Sequence, residues 1–201
     1  MGVALSKPIA PAEFLAWEER QELRYEFDGF RPVAMTGGTL GHDRITFNLQ
    51  KALDRALAGK PCRPFGPNAK ILAAGRVRYP DAIITCTPQD RKATIVGEPI
   101  VLFEVAREGT SRTDRIDKVL EYRTIPSMQR YIIVEQDAIA ATVFERTATD
   151  WIGRVFTGQV VLAVPEAGIE IPLVDLYADV EIAIPESGKP LEQTASPDHT
   201  E

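Results

Sequence analysis

The chain has 201 residues, 44% of them hydrophobic and 26% charged, with 23 basic and 29 acidic side chains and a formal charge of −6. A chain of this size can bury roughly 70% of its extended surface, enough for one self-sufficient core. No apolar run approaches the ~20 residues of a membrane helix, and the acidic balance argues against a protein that coats nucleic acid through a broad basic surface. Residues 1–11 lack a basic head followed by an apolar stretch, so no secretory leader is expected there. Cys62 and Cys86 suggest neither a disulfide framework nor a metal knuckle, and a reducing cytoplasm is the expected setting.

In chain order, Pro11 to about Leu23 reads as a first helix, with Pro11 at a first-turn position and Phe14 and Trp17 three apart. Arg24–Phe27 and Phe30–Met35 read as strands joined by an Asp28-Gly29 turn. The glycines at 37, 38 and 41 break structure before a second helix, Leu40–Ala58, whose Ile45, Leu49, Leu53 and Leu57 share one face. Cys62–Phe65, Ala69–Leu72, Val77–Thr85 and Pro99–Ala106 read as strands. A third helix fits Asp114–Thr124, ended by Pro126. Arg130–Val134, Ile139–Glu145, Trp151–Phe156 and Val160–Val164 read as further strands, and Leu173–Tyr177 as a short closing helix. From Glu186 onward no apolar periodicity remains, which predicts a disordered tail over 186–201 after a single domain spanning 1–185. The pattern is α/β or α+β, a mixed sheet carrying helices.

One residue stands out physically. In Ile100-Val101-Leu102-Phe103-Glu104-Val105-Ala106 both strand faces are apolar, so Glu104 interrupts a buried central strand. A buried carboxylate is costly unless a cation, a shared proton or a basic partner accompanies it. The bland account is a salt bridge at the strand end. Asp81, between Tyr79-Pro80 and the apolar Ala82-Ile83-Ile84, repeats the anomaly. Alone it would suit a turn or a strand start. Two carboxylates on successive buried strands repel and raise each other's pKa unless a cation neutralises them. Mg²⁺ or Mn²⁺, which take oxygen ligands, suit such a pair better than zinc does.

Pro80-Asp81 followed 23 positions later by Glu104-Val105-Ala106 resembles the D…ExK core of PD-(D/E)XK nucleases. Trp17-Glu18, Arg24 through Gly29, His42-Asp43-Arg44-Ile45, Tyr79-Pro80-Asp81, Phe103-Glu104-Val105, Asp114 with Lys118 and Tyr122, and Ile125-Pro126-Ser127 through Tyr131 extend the likeness. Together they resemble the Uma family of restriction-endonuclease-like proteins, over about residues 11–177. That resemblance implies a restriction-endonuclease-like fold, a mixed central β-sheet flanked by helices. It implies a Mg²⁺- or Mn²⁺-dependent endonuclease acting on DNA, with Asp81 and Glu104 as metal ligands. Glu26 matches the family's N-terminal acidic position, where it would hold the metal or its water. Cutting two strands would call for a homodimer, by analogy alone.

The chain departs from the pattern twice. Ala106 occupies the lysine slot of ExK, so the strand carries no ammonium. Lys118, on the following helix, is the expected substitute, with Lys70 second. The bland account of Lys118 is a solvated pair with Asp114, worth about 0.3–0.5 kcal/mol. Arg107-Glu108-Gly109-Thr110 replaces a small polar turn. His42 would serve as a proton shuttle or phosphate contact, or merely cap its helix. The Gly37–Gly41 stretch lacks the Gly-Lys-Ser/Thr ending of a P-loop. The competing accounts are a catalytically degenerate nuclease fold that binds DNA or protein, and a fold whose buried carboxylates are only structural.

Overall fold

The computed structural model describes residues 9–35, 37–106 and 112–182, the last without the side chains of 112–115. The predicted tail after Glu186 and the Arg107–Thr110 departure lie outside these residues. Among the described residues three helices, α1 (Pro11–Glu18), α2 (Leu40–Leu57) and α3 (Arg112–Tyr122), accompany twelve strands. β1 (Tyr25–Phe27) and β2 (Pro32–Ala34) form a hairpin, followed after α2 by β3 (Arg63–Phe65), β4 (Ile71–Ala73), β5 (Arg76–Arg78), β6 (Ala82–Thr85) and β7 (Val101–Val105). After α3 come β8 (Arg130–Val134), β9 (Ala140–Arg146), β10 (Trp151–Thr157), β11 (Val161–Val164) and β12 (Ile169–Pro172), then a 3₁₀ turn at Leu173–Tyr177. No described helix is long and apolar enough to cross a membrane.

The strands form a six-stranded sheet, order β10-β9-β8-β7-β6-β3, a four-stranded sheet, order β2-β1-β5-β4, and the β11-β12 pair. Among the described strands only β7 and β8 pair in parallel. Their connection must cross over, and α3 is that crossover. The fold is therefore the expected mixed sheet flanked by helices. Thr39 caps α2, its side chain accepting the His42 N–H at 3.1 Å, and the apolar face of α2 meets Ile84, Val101, Phe103 and Ile132 on one side of the large sheet. On the other side Leu102, Ala106 and Ile83 pack with Tyr122, Tyr131 and Met128. A third cluster seats Phe14 of α1 on Phe27, Val77 and Tyr79 of the small sheet.

Several expectations are corrected. The first helix stops at Glu18, short of the expected Leu23. The single strand expected over Val77–Thr85 is two, β5 and β6, in different sheets. Pro80 lies between them, and proline has no N–H for a ladder. β12 has no counterpart in the sequence reading. Cys62 and Cys86 form a disulfide. The antiparallel register Arg63↔Thr85 places them opposite each other, one position beyond the ladder, a proximity that only strand pairing reveals.

A bond closing a loop of 24 residues constrains the unfolded chain by about 3 kcal/mol in the chain-entropy account. Dithiothreitol should lower the urea midpoint accordingly. In Cys62→Ala/Cys86→Ala the midpoint should be low already and indifferent to reductant.

Candidate active site

The Tyr79-Pro80-Asp81 linker carries the chain from the small sheet into β6 of the large one. The β6–β7 register pairs Ala82 with Phe103; continued by one residue, it sets Asp81 against Glu104. Both belong to the sheet face of Ile83 and Leu102, since side chains alternate along strands. Asp81 is buried, and its Oδ2 accepts the Val105 N–H at 2.8 Å. Two residues of α2 reach it as well. Gln50 Nε2 donates to the Asp81 carbonyl at 2.6 Å, and His42 Nε2 stands 3.4 Å from Asp81 Oδ2. That nitrogen is buried and makes no hydrogen bond.

Glu104 meets α3. Lys118 Nζ and Tyr122 Oη both donate to its Oε1, each at 2.9 Å, and the two carboxylate-facing residues are four apart on one helix face. The side chains of Glu104 and Lys118 keep 14% and 23% of their exposure. Burial raises the Glu104 pKa; the Lys118 ammonium opposes this, while Asp81 and Glu26 add to it, and the outcome is a raised value. Burial works against the Lys118 charge, but the carboxylates of Glu104 and Glu26 outweigh it, and its pKa is raised. Burial, and then the Glu104 charge, holds the Tyr122 hydroxyl well above the ordinary range, so it remains a donor.

Glu26, on β1, is held through both oxygens: Arg78 Nη1 donates at 3.0 Å and the Tyr79 N–H at 3.3 Å. Arg78 also binds Glu121 of α3 through Nε and Nη2, both at 2.8 Å. Glu26 and Lys118 line one cavity of about 530 Å³ between the β1–β2 hairpin and α3.

The structure thus brings Asp81, Glu104, Lys118 and His42 together, with Glu26 beside them. Lys70 does not join them. Its ammonium is buried in an ion pair with Glu18, which also accepts the Tyr79 hydroxyl. That position beneath α1 makes it a structural cation. The alternative pairing of Lys118 with Asp114 involves a side chain outside the described residues; the described partner of the ammonium is Glu104. The sequence reading missed the roles of Tyr122 and Arg78. Tyr122 was findable, one helical turn from Lys118. Arg78 was not, because its partners come from β1 and α3. Among the described residues no group of three Asp, Glu, His or Cys side chains is close enough to hold a metal ion, so a metal here would rest on one or two carboxylates.

Comparison with known proteins follows the same lines. The family model Uma2, described as "Putative restriction endonuclease", matches residues 11–174. The chain is 30% identical over 148 residues to the uncharacterized protein slr1290 of Synechocystis, which spans 72% of this chain and 78% of that protein. It is 28% identical over 141 residues to the uncharacterized protein sll1609 of the same organism, spanning 68% and 80% respectively. Among solved structures it is similar to that of a protein described as a putative nuclease belonging to DUF820 from Anabaena variabilis, with a TM-score of 0.70 and 17% identity over 85% of this chain and 98% of that one. That structural likeness is one of fold. With residues 11–174, about four-fifths of its length, matched, the chain belongs to the Uma2 family of restriction-endonuclease-like proteins.

Proposed function

We propose that the chain is a divalent-metal-dependent endonuclease that hydrolyses DNA phosphodiester bonds. The observation that carries this reading is the junction of Asp81 and Glu104 at adjoining strand positions, with the Lys118 ammonium on Glu104. The donor chemistry fits a hard cation. Mg²⁺ and Mn²⁺ are commonly bound by one or two carboxylates, waters and substrate phosphate. The buried, unbonded Nε2 of His42 beside Asp81 is a further polar atom with a partner to gain. Asp81 and Glu104 would hold the ion, and Glu26 would act on it through water, since its own oxygens are engaged by Arg78 and Tyr79. The ion would supply Lewis acidity and an activated water.

The remaining work falls to protein groups. Lys118 takes the place of the ammonium that Ala106 cannot supply, stabilising charge that develops on a phosphate oxygen. Tyr122 orients Glu104 by donating to it. His42 is placed to take or release a proton at Nε2. The reading carries with it a DNA substrate, and two copies acting together when both strands are cut. A second reading, a degenerate nuclease fold that binds DNA or a protein partner, draws on Ala106, which is packed into the apolar cluster beneath α3.

Calorimetric titration with Mn²⁺ should show binding by the wild type and its loss in Asp81→Ala. Lys118→Met should keep the fold and most Mn²⁺ affinity while plasmid cleavage falls by ~10²-fold or more, the scale of one lost transition-state contact. Mn²⁺ binding without cleavage of supercoiled, linear or single-stranded DNA would select the degenerate reading.

Protons compete with the metal for Glu104. Its pKa is raised in the fold, so its contribution to stability is present at low pH and is lost as pH rises through the raised value. Carboxyl ¹³C titration of the metal-free protein should place Glu104 above its ordinary range. In Asp81→Asn, which can still accept the Val105 N–H, the titration should move to lower pH because one neighbouring negative charge is gone.

A further inference from the structure

The cavity of about 530 Å³ beside Glu26 and Lys118 is lined also by Asp28, Phe30 and Val33 of the β1–β2 hairpin. Its wall contains two apolar side chains, Phe30 and Val33, and Phe30 keeps 66% of its surface exposed. An aromatic ring so placed is not there for the core.

The tip that carries it is braced. Asp28 Oδ1 accepts the N–H groups of Phe30 and Arg31, both at 2.8 Å. Gly29 takes the left-handed conformation, φ 95°, that the turn requires, and Arg76 Nε donates to the Asp28 carbonyl at 2.8 Å. Burial works against the Asp28 charge, but those two N–H donors keep its pKa below the usual value. The ring is therefore presented from a fixed backbone, which spares much of the ordering cost of binding.

The charges of the cavity select what can enter. Its three cations, Arg76, Arg78 and Lys118, are each already bonded to a carboxylate: Arg76 and Arg78 to Glu121, Lys118 to Glu104. Four carboxylates face the same space, those of Glu26, Asp28, Asp117 and Glu121. The lining thus sums to about −1 and repels a phosphate. A flat, uncharged heterocycle meets no such penalty and gains the face of Phe30.

We propose that this cavity receives one unstacked nucleobase of the substrate strand, adjacent to the phosphate held at Asp81 and Glu104, with Phe30 as its stacking platform. The proposal rests on the nuclease reading and adds a substrate preference to it. A duplex must give up stacking and pairing to fill the cavity, whereas a single strand, a gap or a mismatch has less to lose. Single-stranded and gapped DNA are the favoured substrates.

The test uses the full chain with Ca²⁺ and fluorescent single-stranded oligonucleotides carrying one abasic residue at successive positions. In the wild type one position should be sensitive, losing about 10-fold in affinity when its base is removed, the scale of one base–aromatic stack. Phe30→Ala should lose about the same, with no further loss from the abasic residue at that position, while Phe30→Trp restores the wild-type pattern. Mn²⁺ affinity should be unchanged in Phe30→Ala. Metal binding and cleavage that are indifferent to Phe30 and to every abasic position would overturn the base cavity and leave the nuclease reading standing. No Mn²⁺ binding and no DNA binding by the wild type would overturn both.

Discussion

A carboxylate within the central strand of a sheet is the constraint on which this molecule is arranged. Glu104 stands on β7, between β6 and β8, and burial disfavours its charge more than any neighbour favours it. The cost is offset by α3, which brings Lys118 and Tyr122 to one oxygen. The same helix is the crossover that a parallel β7–β8 pair demands. Topology and electrostatics therefore make the same request of one segment, and a short helix with Lys and Tyr four apart answers both.

Glu121, next to Tyr122, extends the arrangement to the second sheet. It is almost wholly buried and binds both Arg76 and Arg78 of β5. Strand alternation sends Val77, between those arginines, the other way into the cluster beneath α1. Arg78 then passes the connection to Glu26 of β1. The result is a chain of ion pairs from the small sheet to α3, ending one residue from the groups on Glu104. Removing one member of such a buried set strands its partners, which costs more than the pair itself contributes. Glu26 is thus a fixed charge near the site whether or not it touches a metal.

The sequence was most legible where one physical rule acts alone. The apolar run around Glu104 implies a buried central strand, and the spacing of Ile45, Leu49, Leu53 and Leu57 implies α2 almost to the residue. Of the motifs that carry the family resemblance, the structure brings His42 to Asp81 and Lys118 and Tyr122 to Glu104, while Glu18 lies apart with Lys70. Reading failed where two rules compete or where a partner is distant. Val77 through Thr85 has strand composition throughout, yet Pro80 divides it between sheets. Lys70 looked like a catalytic spare because it precedes the Asp81 strand, but its partner Glu18 lies 52 residues earlier. The Cys62–Cys86 bond depends on a strand pairing that no spacing rule announces.

A chain of formal charge −6 gains no long-range attraction to a polyanion, so on the proposed reading contact with DNA would have to be produced locally. Asp81, Glu104 and Glu26 would by themselves repel a phosphate. On the proposed reading a divalent ion held by the first two would reverse the sign of that point, and the Lys118 ammonium, now on Glu104, would be free to face an anion. Metal and DNA affinities are in this account one linked quantity, each weak without the other, and reciprocal by thermodynamic necessity. The stacking surface of Phe30 fits the same economy of charge. On that proposal it would add affinity without adding cations, and would leave undisturbed the Glu121 pairs that tie α3 to the small sheet.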